Sequence, residues 1–356
     1  MRGMHLPELI FEDKQRHLVV ERNSDYTPQF VEFLHNTLWG SGGVRYTMHN
    51  VADTLNRFKN PHFFNLHEKD KLVAVATLNR KTVYLNEEAY PAFFSYGIAV
   101  DPSKRGLGYG TLMAEQGLRY GLSQIGKKGL LYGYIEASNT NSLRTIAKVT
   151  RKSIGQYHIL FISRLQPRDN FRLQKLNETM KEQLVHLLGK QYENHFLTDF
   201  DQSVKVDDYY VMKQGDEIIA GLQCERHQLT IKHMPGASGL ILVKVLPFIP
   251  ILRRLLPDRN LHFLTFGNIY FKNGMEAEIF SLMEALLARH QMNFAMIYMD
   301  KRSPVFQRLA KVSKFGILHA LIDVPIHVMG FFKGFSDREI ADIYQQPLFI
   351  SMNDPV

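Results

Sequence analysis

Short apolar runs alternate with amphipathic segments over the first 165 residues of the chain, and this alternation predicts a mixed α/β fold. Runs rich in β-branched and aromatic residues predict strands, and apolar residues spaced by three and four positions predict helices. The predicted strands are 16–21, 62–80 (a hairpin), 92–100, 129–137 and 156–165, and the predicted helices are 27–38, 50–58, 111–125 and 141–149. The glycine-rich segment 39–46 is predicted to be a flexible loop.

Three glycines at alternate positions, Gly106, Gly108 and Gly110, separate a predicted strand from a predicted helix. Glycine lowers helix stability, so its repetition at a helix entrance indicates a need for bare backbone. Main-chain N–H groups at a helix N-terminus attract anions, and missing side chains let a pyrophosphate approach closely. A dinucleotide-binding fingerprint would need glycine at Thr111, and a Walker loop would need Gly-Lys-Ser/Thr, so neither motif is present.

The segment "VDPSKRGLGYG" (100–110) resembles the Q/R-x-x-G-x-G/A signature of the GNAT superfamily of acetyl-CoA-dependent N-acyltransferases. Asn139 and Ser142 match the Asn-x-x-Ala/Ser pattern that begins the helix after the next strand in this family. The order of predicted elements over residues 16–165 agrees as well. The resemblance implies a mixed α+β fold in which a mostly antiparallel, twisted sheet is flanked by helices.

The resemblance also implies that acetyl-CoA, or another acyl-CoA, is the co-substrate and that no metal takes part. The N–H groups of residues 105–111 would hold the CoA pyrophosphate, and the main chain of residues 98–100 would pair with pantetheine like an added strand. Asn139 and Ser142 would contact the pantetheine arm or the far end of CoA. The implied cofactor site comprises Ile98, Ala99, Val100, Arg105, Gly106, Leu107, Gly108, Tyr109, Gly110, Thr111, Asn139 and Ser142.

The expected chemistry is direct attack of an amine on the thioester, with a base that takes the amine's proton and an acid that protonates the thiolate. Many relatives carry a base glutamate where this chain has Tyr96, and an acid tyrosine where it has Ile146. Tyr96 and Glu136 are the remaining catalytic candidates; the structural alternatives are a packing tyrosine and a solvated strand end. Positioning with solvent as base is the alternative. Trp39 and loop 40–43 would lie near the acceptor groove.

Parts of the second half of the chain repeat the first. Residues 62–80 align without gaps with 208–226, and residues 93–100 align with 263–270. Internal repetition of this kind indicates a duplicated structural unit. The sequence therefore predicts two GNAT-type domains in tandem.

The predicted domains are 1–167, which binds acetyl-CoA, and 168–356, which is degenerate. A gap-free alignment places Glu276, Glu278 and Phe280 at the positions of the three loop glycines. Carboxylates there would repel a pyrophosphate, and side chains would block the backbone. The second domain is therefore expected to shape the acceptor site or the domain interface.

An insertion at about residues 227–262 carries the most apolar stretch of the chain, 239–258. Charged residues and prolines interrupt this stretch, so it does not provide the ~20 apolar residues of a membrane span. Three interpretations remain open: packing between domains, a wall of an apolar acceptor or acyl site, and contact with an anionic membrane through Lys244, Arg253 and Arg254. Under the second interpretation, acceptors with an apolar part would be preferred.

Composition narrows the function classes. The net charge is +8, which favours anionic ligands, but no basic–aromatic cluster indicates nucleic acid. The single cysteine, Cys224, excludes a disulfide framework and, with no signal-like apolar core near the N-terminus, predicts a cytoplasmic protein. The expected function is transfer of an acyl group to a primary amine of a small molecule, amino acid, peptide or lipid-like acceptor. The alternative is a catalytically inactive CoA-binding regulatory or scaffold protein.

Overall fold

The computed structural model describes residues 6–40, 44–85, 88–150, 153–170, 172–233 and 260–354. The strands are β1 (Glu8–Asp13), β2 (Leu18–Asn23), β3 (Arg45–Met48), β4 (Pro61–Glu68), β5 (Lys71–Leu85), β6 (Glu88–Val100), β7 (Gly129–Glu136), β8 (Ser153–Ser163), β9 (Leu173–Lys175), β10 (Tyr209–Gln214), β11 (Glu217–His233), β12 (Asn260–Phe271), β13 (Phe294–Met299) and β14 (Val324–Lys333). The helices are α1 (Pro28–Asn36), α2 (Val51–Asn56), α3 (Tyr109–Gln124), α4 (Thr140–Ala147), α5 (Glu178–Gln191), α6 (Phe200–Ser203), α7 (Glu276–Arg289), α8 (Pro304–Val312), α9 (Ile317–Leu321) and α10 (Asp337–Gln345). The apolar stretch 239–258 lies outside the described residues.

Within the described ranges, the strands form one continuous sheet. Its order is β1-β2-β4-β5-β6-β7-β14-β8-β13-β12-β11-β10-β9, and β3 pairs with β11. Neighbouring strands are antiparallel, except for the parallel pairs β6/β7 and β12/β13. The predicted fold class, a mostly antiparallel sheet flanked by helices, is confirmed. β1 and β3 were not predicted, and β3 lies partly in the segment predicted to be a loop.

The two halves of the sheet exchange their last strands. β8 follows α4 in the first half but pairs with β13 of the second, and β14 follows α9 in the second half but pairs with β7 of the first. β8 and β14 also pair with each other at the centre of the sheet. Each half therefore depends on a strand supplied by the other for its hydrogen bonds.

Each half has the same irregularity in the strand that precedes its main helix. In β6, Gly97 adopts a φ of +68° where the pairing of β5 and β6 shifts register. In β12, Asn268 adopts a φ of +47° where the pairing of β11 and β12 shifts. Glycine and asparagine tolerate this left-handed conformation best, and it marks a bulge. Gly97 therefore corresponds to Asn268 and Tyr96 to Gly267, one position away from the gap-free sequence alignment.

The connections from strand to main helix differ in length. Residues 101–108 join β6 to α3, whereas only 272–275 join β12 to α7. The gap-free placement of Glu276, Glu278 and Phe280 opposite the loop glycines is therefore wrong, because α7 begins at Glu276 itself. The connection in the second half is too short to hold residues equivalent to the three glycines.

Alternate side chains of β6 and β7 point to opposite faces of the sheet. Phe93 and Leu131 pack in a cluster with residues of α3, whereas Phe94 and Tyr132 pack in a cluster with residues of α1. We call these surfaces the α3 face and the α1 face. Tyr96, which follows Phe94 by two positions, belongs to the α1 face and its cluster.

Candidate functional site

The parallel strands β6 and β7 separate at their C-terminal ends. Their pairing ends at Ser95 and Gly133, although β6 continues to Val100 and β7 to Glu136. Beyond this point, no described strand pairs with the edge of β6 that faces β7. Main-chain groups need hydrogen-bond partners, so this edge can accept an added chain. The predicted pantetheine residues 98–100 lie along it.

The glycine loop stands at the mouth of this gap. Gly106 and Gly108 have φ of +85° and +84°, and a Cβ added at either would meet nothing within 4 Å. Gly108 is the N-cap of α3, whose first-turn N–H groups have no partners within the helix. With the positive end of the helix dipole, these N–H groups suit an anion. Gly110 has an ordinary φ, and a Cβ there would make only normal contacts, so the structure gives no reason for glycine at 110.

Charged groups surround the loop. Lys104 is paired with Glu68, which also accepts a hydrogen bond from the Tyr109 hydroxyl at 2.7 Å. The hydrogen bonds from Lys104 and Tyr109 lower the pKa of Glu68. The ammonium group of Lys104 is therefore already engaged in an ion pair. Arg105 is exposed, and Arg16, which the sequence did not indicate, donates to a loop carbonyl at 3.3 Å. Two arginines therefore remain close to the predicted pyrophosphate site.

Asn139 and Ser142 have a local structural role. The Asn139 side chain is the N-cap of α4 and accepts a hydrogen bond from the Ser142 N–H at 3.1 Å. Such caps stabilise helix termini by about 1 kcal/mol. α4 lies beside the first turn of α3, since a Cβ at Gly110 would be 3.8 Å from Thr145 Cγ2. The pattern is thus explained by capping, at a place adjoining the glycine loop.

The two catalytic candidates lie at the separated ends of β6 and β7. Tyr96 is 8% exposed, and its hydroxyl donates a weak hydrogen bond to Met48 Sδ at 3.8 Å. Burial and the charge of Glu136 raise the pKa of Tyr46 to about 12, and burial, together with Tyr46, raises the pKa of Tyr96. Tyr46 therefore lies within electrostatic reach of both candidates. Glu136 itself accepts a hydrogen bond from the Ser138 hydroxyl.

Tyr46 reaches this position on β3, which pairs with β11 of the second half. Trp39 and Tyr46 exchange main-chain hydrogen bonds of 2.9 and 3.1 Å. Trp39 Cη2 lies 3.9 Å from a Cβ built on Gly97, so the indole borders the bulge in β6. No pattern near Tyr46 indicates this position, because its strand partner is distant along the chain.

A buried carboxylate with three basic neighbours lies on β11, the strand that pairs with β3. Glu225 is paired with Arg57, with Lys205 at 3.2 Å and with His227 at 3.8 Å. Burial alone would raise the pKa of Glu225, but the nearby His227 imidazole and the charges of Arg57 and Lys205 bring it to about 2. This group joins residues of both halves, and sequence reasoning missed it.

A second buried charge cluster lies on the α1 face near the point where β6 and β7 separate. Lys81 Nζ is 2.5 Å from Asp199 Oδ2 and 2.9 Å from Asp354 Oδ1. Asp354 Oδ2 also accepts hydrogen bonds from the hydroxyls of Tyr132 at 2.6 Å and Tyr134 at 3.2 Å. Burial opposes the charge of Lys81, but the two carboxylates raise its pKa, and burial raises the pKa of Asp354. We call these residues the Lys81 cluster.

In the second half, the corresponding gap between β12 and β13 is filled by residues 348–352 of the chain itself. The Leu348 N–H donates to Asp300 Oδ2 at 3.0 Å, at the end of β13. A Cβ added at Gly267 would lie only 2.3 Å from Met352 Sδ, so the methionine rests directly on the glycine. We call 348–352 the C-terminal plug.

A side-chain amide completes the filling of this second gap. Gln191 Nε2 donates to the Ile269 carbonyl at 2.8 Å, and Gln191 Oε1 accepts from the Phe271 N–H at 3.1 Å. Counted from the bulge, these main-chain groups correspond to the Ile98 carbonyl and the Val100 N–H. The second half thus uses its own amide to satisfy the edge that β6 leaves open.

The helix terminus of the second half is also occupied internally. The Glu276 carboxylate lies at the first residue of α7, close enough to the main-chain N–H groups of Gly274 and Glu276 for them to lower its pKa, and it pairs with Arg308 at 2.7 Å. Burial works against its charge, but these contacts lower the pKa of Glu276. Glu278 pairs with Arg172 at 2.6 Å. A carboxylate therefore stands where the first half offers an anion site.

Among the described residues, no group of three or more His, Cys, Asp or Glu side chains is arranged to hold a metal ion. None of the helices in these ranges is both long and apolar enough to cross a bilayer. Cys224 is buried, which raises the pKa of its thiol. Its environment is that of a packed core residue.

Comparison with known proteins adds to this geometry. A family model described as "Acetyltransferase (GNAT) family" matches residues 31–149. Two structures of Saccharomyces cerevisiae N-myristoyltransferase with bound myristoyl-CoA are similar, each with 12% identity, a TM-score of 0.59 and 94% of this chain covered, over 89% and 85% of their own chains. A GCN5-related N-acetyltransferase from Sphaerobacter thermophilus has 13% identity, a TM-score of 0.45, and coverage of 77% of this chain and 82% of its own. No curated protein sequence matches the chain.

The family match spans α1 to α4, and so includes the open gap, the glycine loop and both strands that border them. The two structures with the higher TM-score extend the likeness of fold to nearly the whole chain, and at 12% identity it is a likeness of fold only. Residues 31–149 therefore form a GNAT acetyltransferase-family domain.

Proposed function

We propose that this protein transfers an acyl group from acyl-CoA to a primary amine, with acetyl as the expected group. The reaction takes place in the gap between β6 and β7. One observation carries the proposal: the family-matched half has both an open strand edge and a glycine-lined helix N-terminus that no side chain caps. The first feature suits an amide-bearing arm and the second suits a phosphate. Acyl-CoA carries an amide-bearing arm and a phosphate in one molecule.

The filled gap of the second half supports this assignment. Gln191 shows that a single amide can bridge a carbonyl and an N–H at the positions that correspond to Ile98 and Val100. A pantetheine amide would make the same two hydrogen bonds in the first half. Because the second gap already holds its own amide, plug and carboxylate, one acyl-CoA per chain is expected. The second half, residues 168–356, would then be a degenerate GNAT-like domain.

The direction of the cofactor follows from the loop. With the pyrophosphate at residues 105–111 and pantetheine along 98–100, the thioester comes to the closed end of the gap beside Tyr96. Glu136 stands across the gap on β7. Asp300, which like Glu136 lies three residues beyond the last parallel pair of its strand, accepts the N–H of Leu348 in the plug. This supports a role for Glu136 in holding the acceptor's N–H.

In the proposed reaction the amine nitrogen forms a bond to the thioester carbonyl carbon, and the carbon–sulfur bond breaks. Glu136 takes the proton of the amine, and the Tyr96 hydroxyl, protonated because burial raises its pKa, gives a proton to the thiolate. Exchange with solvent restores the carboxylate of Glu136 and the phenol of Tyr96 after each turnover. The products are an amide and free CoA thiol.

Thiol release tests the proposal. With acetyl-CoA and a panel of small amines, amino acids, peptides and lipid-like amines, thiol should appear only with an acceptor, and calorimetry should give one acetyl-CoA per chain. Glu136→Gln should lower kcat by about 10²–10⁴-fold, the usual contribution of a general base, without changing acetyl-CoA affinity. Glu115→Gln, on α3, is the matched control. Tight binding without thiol release from any acceptor would favour a CoA-binding scaffold instead.

A further inference from the structure

We infer that the side chain of Tyr96 restricts the acyl group to a short chain, and that acyl length is set at this one position. The inference rests on the proposed function, since it concerns the acyl-CoA that the first gap would hold. Its basis is a comparison inside the molecule, between the two gaps at the same point of the fold.

The register of the sheet identifies the two positions as equivalent. Tyr96 pairs with Thr77, directly after the register shift between β5 and β6. Gly267 pairs with Gln223, directly after the corresponding shift between β11 and β12. Each is the first residue beyond the last parallel pair, so each lies where its gap begins.

Where this position is glycine, an unbranched chain enters. Met352 lies on Gly267 so closely that an added Cβ would be 2.3 Å from its Sδ and 2.4 Å from its Cγ. Contacts of that length are impossible for real atoms, so the methionine occupies the space of the missing side chain. From Cβ to Cε it has the length of a butyl group.

In the first gap, Tyr96 fills this space itself. The side chain is 8% exposed, and its ring packs edge-on against Phe58 with 5.7 Å between centroids. Its hydroxyl reaches Met48. Met48 of β3 and Phe58, which follows α2, thus hold the ring in place. Packed interiors resist displacement of such groups.

The thioester should arrive beside this ring. An acetyl methyl would stop at the ring, whereas each further methylene must displace a buried aromatic side chain. The similar N-myristoyltransferase structures hold myristoyl-CoA, but that chain length is not expected here. Short acyl groups are the class that the first gap admits.

The experiment measures kcat/KM with acetyl-, butyryl- and octanoyl-CoA, together with the Kd of each by calorimetry. The wild-type protein should prefer acetyl- to octanoyl-CoA by at least a hundredfold. Tyr96→Ala should raise the butyryl-to-acetyl ratio at least tenfold. Tyr96→Phe should keep the wild-type length profile even if kcat falls, because it removes only the hydroxyl.

Phe63→Leu is the control, since Phe63 is buried in the same core cluster on β4; it should cost stability and leave the length profile unchanged. If Tyr96→Ala does not fold, Tyr96→Leu and the wild-type series decide. Equal use of octanoyl-CoA by the wild-type protein, or an unchanged profile in a folded Tyr96→Ala or Tyr96→Leu, would overturn the inference. Binding without thiol release in every case would refute the proposed function alone, because the Kd series still reports acyl length.

Discussion

Replacing Lys81 with methionine is expected to lower the free energy of unfolding by about 3–5 kcal/mol, the usual cost of removing one partner from a buried ion pair. The Lys81 side chain is 3% exposed and lies between Asp199 and Asp354. Without the ammonium group, two carboxylates remain together in a medium that solvates charge poorly. Urea denaturation of both proteins measures the difference.

The deficit of Lys81→Met should depend on pH. Burial already raises the pKa of Asp354, and loss of the cation raises it further. A carboxyl whose folded-state pKa exceeds its unfolded value binds a proton more tightly when folded, so stability is kept at low pH and lost as pH rises through the folded pKa. The deficit should therefore be smaller near pH 5 than at pH 8.

Lys128→Met is the matched control. Lys128 pairs with Glu339, but the two side chains are 40% and 41% exposed. Exposed pairs contribute at most about 1 kcal/mol, so this variant should lose little at any pH. Similar losses in the two variants would show that the buried ion pairs of the Lys81 cluster contribute no more stability than an exposed pair.

Gly108→Glu is expected to weaken acetyl-CoA binding by well over tenfold, a loss above ~1.4 kcal/mol. The new carboxylate would stand at the N-terminus of α3, as Glu276 does in the second half. It would compete for the same N–H groups and repel a pyrophosphate. Calorimetry with acetyl-CoA measures the effect.

Gly215→Glu separates this effect from backbone strain. Gly215 also has a positive φ, +60°, and nothing lies within 4 Å of an added Cβ, but it is in the second half. Both variants should lose about 1–2 kcal/mol of stability through the left-handed backbone. Unchanged acetyl-CoA affinity in a folded Gly108→Glu would mean that the glycines serve only as a turn.

Local patterns in the sequence predicted the local parts of the fold. The hairpin of β4 and β5 and the strand–loop–helix unit around Gly108 depend on neighbouring residues, and the structure has both. β3 was missed because its four residues, Arg45–Met48, are stabilised by β11, nearly two hundred positions away. Short strands of this kind carry little periodicity of their own.

The site was less predictable than the fold. No spacing rule brings Asp354 to Lys81, or Tyr46 into electrostatic reach of Tyr96, because these residues come near each other only when distant parts of the chain fold together. The gap-free alignment failed at α7 because a loop can shorten without leaving a mark in the residues that remain. The conclusion that the second half offers no free anion site stays a prediction, now supported by the carboxylate of Glu276 itself.

The exchange of β8 and β14 has a consequence for synthesis on the ribosome. The end of β7, Glu136, precedes the start of β14, Val324, by 188 residues. At about 5–20 residues per second, the nascent first half waits roughly 10–40 s for its last strand. During that time β7 presents an unpaired edge, which the β14 of another nascent chain fits equally well. Crowded translation of one message should therefore yield intertwined dimers, and slower initiation should yield monomers.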